Sequence, residues 1–94
     1  MLKTRTFQVI WTNWYGRKQV RLFEIDAHCY RRKDEGNEVR AEHPYAAIEK
    51  IDVSKEESGT QLKITLKDGA IEYYSSSIPG VIETISKLLE EKLK

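Results

Sequence analysis

The segment from Trp14 to Arg21 combines aromatic rings with cations, in the order Trp14, Tyr15, Arg17, Lys18 and Arg21. Lys and Arg bind phosphate groups, and Arg does so through paired hydrogen bonds. Indole and phenol rings favour the membrane–water interface, and they also stack on the bases of single-stranded nucleic acid. The segment therefore fits a phosphoinositide head group or a nucleic-acid strand. The alternative is that Trp14 covers one end of the core while the cations are simply solvated.

A second basic run, Arg31, Arg32 and Lys33, comes just before a turn at residues 34–37. In a small antiparallel barrel, the first and third hairpin connections tend to open at the same end. We therefore predict that this run and the cations of the first segment share one basic mouth. Glu35 follows the run closely and would reduce its field.

Residues suited to catalysis are few. His28 and His43 lack the spacing of metal ligands, and the single cysteine, Cys29, offers no second thiol. Cys29 and His28 are neighbours on a strand-like stretch, so their side chains point to opposite faces and cannot form a nucleophile–base pair. The glycines are isolated, and no glycine-rich phosphate loop is present. We therefore expect no enzyme, no metal site and no cofactor.

Composition indicates a globular domain, because 39% of the residues are hydrophobic and 33% are charged. The 94 residues suit a single domain, 1–94. The net charge of +1 hides an asymmetry, since residues 1–33 carry eight basic and two acidic side chains and residues 34–94 carry eight basic and thirteen acidic ones. The first third, at +6, would attract phosphate if the fold keeps the halves apart. The alternative is that the charges are mixed in three dimensions.

Seven stretches have the alternation, β-branched residues and bounding turns of strands. They cover residues 5–11, 18–26, 27–33, 38–42, a fifth stretch through Ile48, Ile51 and Val53, and residues 61–67 and 70–75. The second has an ambiguous register, because either Phe23 and Ile25 or Val20 and Leu22 can face inward. The fifth should begin irregularly, since Ile48 and Ile51 are three residues apart.

One amphipathic helix is predicted over residues 77–94, with Ser77 as its N-cap and an apolar stripe from Ile78 to Leu93. A stripe of this kind is suited to plugging one end of a small barrel. The fold class is therefore mainly β, a seven-stranded antiparallel barrel or sandwich capped by a C-terminal helix.

Four short motifs recur in a known family. They are Trp14-x-Gly16-Arg17, Arg21-Leu22-Phe23, Pro44-Tyr45-x-x-Ile48 and Lys67-Asp68-Gly69. With them the chain resembles the N-terminal pleckstrin-homology-like domain of the endosomal J-domain proteins of receptor-mediated endocytosis, from Phe7 onward. Its spacing is also similar to that of class I myosin tail domains, the third lobe of FERM domains and the actin regulator CARMIL.

This resemblance implies a pleckstrin-homology-like domain that binds phosphatidylinositol 3-phosphate on endosomes. In that family a tryptophan and an arginine of the first segment take part, and they match Trp14 and Arg21. Lys18 can supply a further charge. Together with the rings and cations of the two basic segments, the resemblance favours a lipid site formed by Trp14, Tyr15, Arg17, Lys18, Arg21, Arg31 and Arg32.

Two other functions remain open at this point. An extended peptide could add to a free sheet edge beside the helix, which would make the chain a protein-interaction module without lipid specificity. Nucleic acid is disfavoured, because the net charge is nearly neutral.

No apolar run is long enough to span a bilayer, Met1 to Trp11 lacks the apolar centre of a signal peptide, and a lone cysteine suits a reducing compartment. We therefore expect a cytoplasmic protein that meets anionic membranes peripherally, on endosomes if it binds lipid.

Overall fold

The computed structural model describes residues 4–94, so the first three residues of the predicted domain lie outside the described residues. Residues 4–94 form seven strands and one C-terminal α-helix, with a short 3₁₀ turn at Tyr45–Ala47. The elements are β1 (Arg5–Thr12), β2 (Lys18–Ile25), β3 (Cys29–Lys33), β4 (Val39–Pro44), β5 (Ile48–Glu56), β6 (Gly59–Leu66), β7 (Ile71–Ser76) and α1 (Val81–Lys92). The predicted fold class, mainly β with a terminal helix, is confirmed.

All strand pairs are antiparallel, and the sheet order is β4-β3-β2-β1-β7-β6-β5. β1 lies at the centre because it pairs with β2 on one side and with β7 on the other. β4 and β5 are the two edges of the sheet that residues 4–94 form. The helix packs against β5, β6 and β7.

Alternation along each strand decides which side chains reach the core. On β6, the alternating residues Leu62, Ile64 and Leu66 are buried. On β2, Phe23 and Ile25 face the core, which resolves the ambiguous register. We call this side of the sheet the inner face and the opposite side the outer face.

Aromatic rings fill much of the core. The Phe23 ring stacks on the Tyr30 ring with centroids 5.1 Å apart and meets the Tyr74 ring edge-on at 4.9 Å. Both tyrosines are fully buried, so each hydroxyl needs an internal partner. Cys29 is buried as well, and burial raises the pKa of its thiol.

The helix is shorter than predicted at its N-terminus. It begins at Val81, after Gly80, whose φ of 87° lies in the left-handed region. Ser77 does not cap it; instead the Ser76 hydroxyl accepts a hydrogen bond from the Ile78 amide at 3.1 Å, which holds a turn ahead of the helix. The predicted stripe is correspondingly shorter. Ile82, Ile85 and Leu89 are buried, whereas Ile78 and Leu93 are exposed.

No helix among residues 4–94 has the length and apolar character needed to cross a membrane.

Candidate functional site

The loop between β1 and β2 is held in shape by one side chain. The Asn13 Oδ1 atom accepts hydrogen bonds from the Tyr15 amide at 3.2 Å and the Arg17 amide at 2.9 Å. The Asn13 amide donates to the Arg17 carbonyl, and the Gly16 amide donates to the Asn13 carbonyl. Asn13 is buried, as an organising residue should be, and residues 14 and 15 form the turn.

The same bonds present two aromatic rings at the loop tip. Trp14 is 92% exposed and Tyr15 61% exposed, with their ring centroids 4.9 Å apart in an edge-on arrangement. The alternative in which Trp14 covers the core is therefore wrong. The two adjacent rings form an exposed aromatic pair at the loop tip.

Arg21 lies on the inner face, because it is two residues before the buried Phe23 and opposite Val9 of β1. Its guanidinium donates to the Val20 carbonyl at 2.7 Å and to Gln19 Oε1 at 2.8 Å. Its Cζ atom lies 5.6 Å from the centre of the Trp11 ring. No carboxylate of residues 4–94 lies within salt-bridge distance of Arg21, so its charge is not neutralised by a partner.

Arg32 occupies the inner face of β3, opposite Phe23. Its Cζ atom lies only 3.8 Å from the centre of the Trp11 ring, so the two arginines share one indole. Its Nη1 atom donates to Glu72 Oε2 at 2.9 Å and to the Tyr74 hydroxyl at 3.2 Å. The Nε atoms of Arg21 and Arg32 are both buried and have no acceptor among the described residues.

Glu72 of β7 is a buried carboxylate next to Arg32. Besides Arg32, it accepts hydrogen bonds from the Tyr30 hydroxyl at 2.7 Å and the Tyr74 hydroxyl at 3.2 Å. The His43 Nε2 atom lies 3.5 Å from it. Burial first, and then the neighbouring Glu72 charge, raise the pKa of both tyrosines. Glu72 therefore offsets the charge of Arg32 but not that of Arg21.

The β1–β2 loop, Arg21 and Arg32 line a cavity of about 390 Å³ at the end of the sheet where this loop lies. We call it the arginine cavity. Its lining residues are Trp11, Asn13, Trp14, Tyr15, Gln19, Arg21, Arg32 and Arg40. Arg40 is half exposed, and its only acidic neighbour within residues 4–94 is Asp34, at 3.9 Å.

The structure brings together only some of the residues predicted from sequence. Trp14, Tyr15, Arg21 and Arg32 line the arginine cavity. Arg17 is exposed where the loop ends, directly before β2. Lys18 lines a different cavity with Glu56, Gly59 and Ser75.

Arg31 does not join a basic mouth, because it lies on the outer face with Lys33. Its guanidinium contacts Glu24 at 2.7 Å, Asp26 at 2.6 Å and Glu42 at 2.5 Å, and Lys33 contacts Glu24 at 2.7 Å. The Lys33 ammonium lowers the pKa of Glu24 below its usual value. The predicted grouping of residues 31–33 at one mouth is therefore wrong, since the strand sends Arg32 to one face and its neighbours to the other.

Sequence reasoning did not assign four residues of the cavity to the site: Trp11, Asn13, Gln19 and Arg40. Trp11 of β1 is half-buried and packs against two guanidiniums. Gln19 lies within the Trp14–Arg21 segment but was given no role, and Arg40 lies outside both basic segments. Gln19 lies two residues before Arg21 on β2, so the two side chains point to the same face of the sheet. This spacing is the sequence signal by which Gln19 could have been found. Arg40 had no such signal, because the register of β3 and β4 shifts between Arg32 and Lys33.

Arg21, Arg32, Arg40 and Gln19 line the arginine cavity beside the exposed Trp14 and Tyr15 rings, and guanidiniums are suited to anionic groups. A scan against protein-family models and a search of curated proteins find no match for this chain.

Proposed function

We propose that this chain is a peripheral membrane-targeting module that binds a phosphoinositide head group in the arginine cavity. The observation that carries the proposal is the combination of Arg21, which no carboxylate of residues 4–94 neutralises, with the exposed Trp14 ring on the same cavity. A charged group facing a cavity without a counter-ion favours an anionic ligand.

The polar part of the site suits a phosphate group. Arg21 lies on the inner wall and Arg40 on the rim, so a phosphate between them can accept charge-assisted hydrogen bonds from both. The buried Nε atoms of Arg21 and Arg32 lack acceptors, and rotation of either side chain toward an anion would pair them. Each such bond to a charged group contributes about 1.5–3 kcal/mol.

The apolar part of the site suits a membrane surface. Trp14 and Tyr15 project from the loop tip, where their rings can enter the interfacial region of a bilayer. Arg17 and Lys18 follow them directly and are exposed, so they can approach anionic lipids at the same time. Each cation near an anionic surface adds about 1 kcal/mol.

The family that the sequence resembles suggests which lipid to test first. It binds phosphatidylinositol 3-phosphate on endosomes, so we propose this lipid as the first probe and the cytoplasmic surface of endosomes as the location. Of the residues matched to that family, Trp14 and Arg21 both line the arginine cavity. We accordingly leave Arg31, with its three carboxylate partners, out of the proposed site.

Vesicle co-sedimentation tests the proposal. Phosphatidylcholine vesicles containing phosphatidylinositol 3-phosphate should pellet the protein, whereas plain vesicles should not. Vesicles with phosphatidylserine at matched charge separate head-group recognition from attraction to any anionic surface. Equal binding to all three compositions would contradict the proposal.

A substitution locates the site. Arg21→Gln should weaken binding to the phosphoinositide vesicles by about tenfold or more, because it removes a charge-assisted hydrogen bond. Lys87→Gln is the matched control, since it removes the same charge from the exposed face of α1 and should leave binding unchanged. A similar loss in both variants would indicate that only the net charge matters.

A further inference from the structure

β5 is the longer of the two edges of the sheet, and one of its sides is free. It pairs with β6 from Lys50 to Glu56 without interruption, after a register shift between Ile48 and Lys50. No strand of residues 4–94 pairs with its other side. The other edge, β4, is blunted by a register shift and by Pro44 at its end, whereas β5 contains no proline. β5 thus offers a regular, unpaired ladder of backbone groups.

Val53 marks the place on this edge where apolar surface is uncovered. It lies opposite Leu62 of β6 and shares the inner face with it. Leu62 is 0% exposed, but Val53 is 41% exposed because no strand flanks it on the free side. A strand added to the edge would cover the Val53 side chain, and its backbone would form hydrogen bonds with the unpaired backbone groups of β5.

The charges along β5 decide which strand fits. Suppose that β5 pairs antiparallel with β5 of a second copy about a two-fold axis. The inner faces of the two sheets then lie on the same side only if one residue of β5 lies directly opposite the same residue of the other copy. Within residues 50–56, pairing about Asp52 would place two aspartates together. Pairing about Ser54 would set Asp52 against Glu56. Pairing about Ile51 would bring the irregular Ile48–Lys50 step into the ladder on both sides.

Pairing about Val53 has none of these defects. It places Val53 opposite Val53 of the second copy on the inner face. On the outer face it places Lys50 of each copy opposite Glu56 of the other, which gives two such pairs. All seven residues of the regular stretch 50–56 then find a partner. In the single chain Lys50 has only the exposed Asp52 as an acidic neighbour among the described residues, at 3.7 Å.

We propose that the chain forms a homodimer in which β5 pairs antiparallel with β5 of a second copy, centred on Val53. The two sheets then continue into one another across the two-fold axis. This interface does not involve the arginine cavity, so the two proposals stand independently.

Charge reversal tests the register. Sedimentation equilibrium should show a concentration-dependent dimer for the wild type. Lys50→Glu or Glu56→Lys alone should weaken dimerisation by about tenfold or more, because each turns two cross-strand attractions into repulsions. The double variant should restore it. Lys87→Glu and Glu90→Lys on α1 are the matched controls, and circular dichroism checks that every variant folds.

Disulfide trapping tests the centre of the pairing. Directly opposed residues have Cα atoms about 4.5–5.5 Å apart, which a disulfide can bridge, so Val53→Cys should crosslink two copies on mild oxidation. Ser54→Cys is the control, because its two copies would lie about 8 Å apart, beyond disulfide reach. A chain that stays monomeric at all concentrations would overturn the proposal. So would a double charge variant that is no better than the singles, or equal crosslinking at both positions.

Discussion

Glu72 is the buried carboxylate that holds Arg32, one of the residues that line the arginine cavity. It joins Arg32, Tyr30 and Tyr74, and all three of these would lose a partner if its carboxylate were removed. Glu72→Ala should therefore lower the free energy of unfolding by about 3–5 kcal/mol, as expected when a buried charge loses its counter-ion. Urea denaturation measures this loss. Glu57→Ala, in the exposed β5–β6 turn, should change it by less than about 0.5 kcal/mol; equal effects would show that Glu72 has no such role.

Substitution of Trp14 distinguishes insertion of its ring into the membrane from binding of the head group. Because its side chain is almost fully exposed, Trp14→Ala should leave the unfolding free energy unchanged within about 0.5 kcal/mol. We expect it to weaken binding to phosphoinositide vesicles severalfold while leaving the affinity for a soluble inositol phosphate unaltered. Co-sedimentation and an NMR titration make the two measurements. Equal loss in both assays would place the ring in head-group contact instead of in the bilayer.

Arginines 31 and 32 illustrate what the sequence could and could not give at this scale. Their charge and their strand were both predictable, and so was the rule that neighbours point to opposite faces. Which of the two faces inward depends on the register of β2 and β3, where Phe23 lies opposite Arg32. The acids that neutralise Arg31 come from β2, β4 and the β2–β3 turn, and no local pattern links them to it.

Among the elements, the β5–β6 hairpin depends on Gly59. Its φ of 137° is a conformation that other residues rarely adopt, and an added Cβ would lie 2.4 Å from the Ser76 carbonyl oxygen. Because backbone atoms would have to move, Gly59→Ala should lower the unfolding free energy by about 1–3 kcal/mol. Gly36→Ala is the control: there the added Cβ would meet only the Asp34 side chain at 3.4 Å. Thermal denaturation compares the two, and equal stability would contradict the strain.

The strands were predicted more accurately than the start of the helix. Alternation and turn residues located all seven strands, because those signals are local. The helix N-terminus was placed four residues too early, since Ser77 followed by Pro79 resembles a capping sequence. In the structure Ser76 is the last residue of β7, and its hydroxyl accepts a hydrogen bond from the Ile78 amide. The chain therefore turns first, and the helix begins at Val81 with Gly80 as its N-cap.

At the scale of the whole molecule, the basic first third is largely balanced by acids from elsewhere. Arg31 and Lys33 meet Glu24, Asp26 and Glu42, and Arg32 meets Glu72. The charge asymmetry of the sequence therefore survives mainly around the β1–β2 hairpin. Composition indicated an excess of positive charge, but only the folded sheet shows which cations keep it.

The same acidic partners make stability sensitive to low pH. Burial opposes ionisation of Asp26, but hydrogen bonds from the His28 and Cys29 amides, together with Arg31, outweigh it and lower its pKa from 3.8 to about 2. A carboxyl with a depressed folded-state pKa contributes stability above its unfolded pKa and loses it as the pH falls through the folded value. The unfolding free energy should thus fall between about pH 4 and pH 2. Asp26→Asn should flatten this decline in urea titrations, and an unchanged slope would contradict the assignment.

The two tryptophans occupy such different surroundings that the protein carries its own optical reporters. Trp14 stands in water, whereas Trp11 lies half-buried against the Arg32 guanidinium. Entry of the loop tip into lipid would shift the emission of Trp14 toward the blue. Displacement of Arg32 by an incoming anion would instead change the intensity of Trp11. Fluorescence of the unlabelled chain, with each indole replaced in turn by phenylalanine, can therefore time the two events separately.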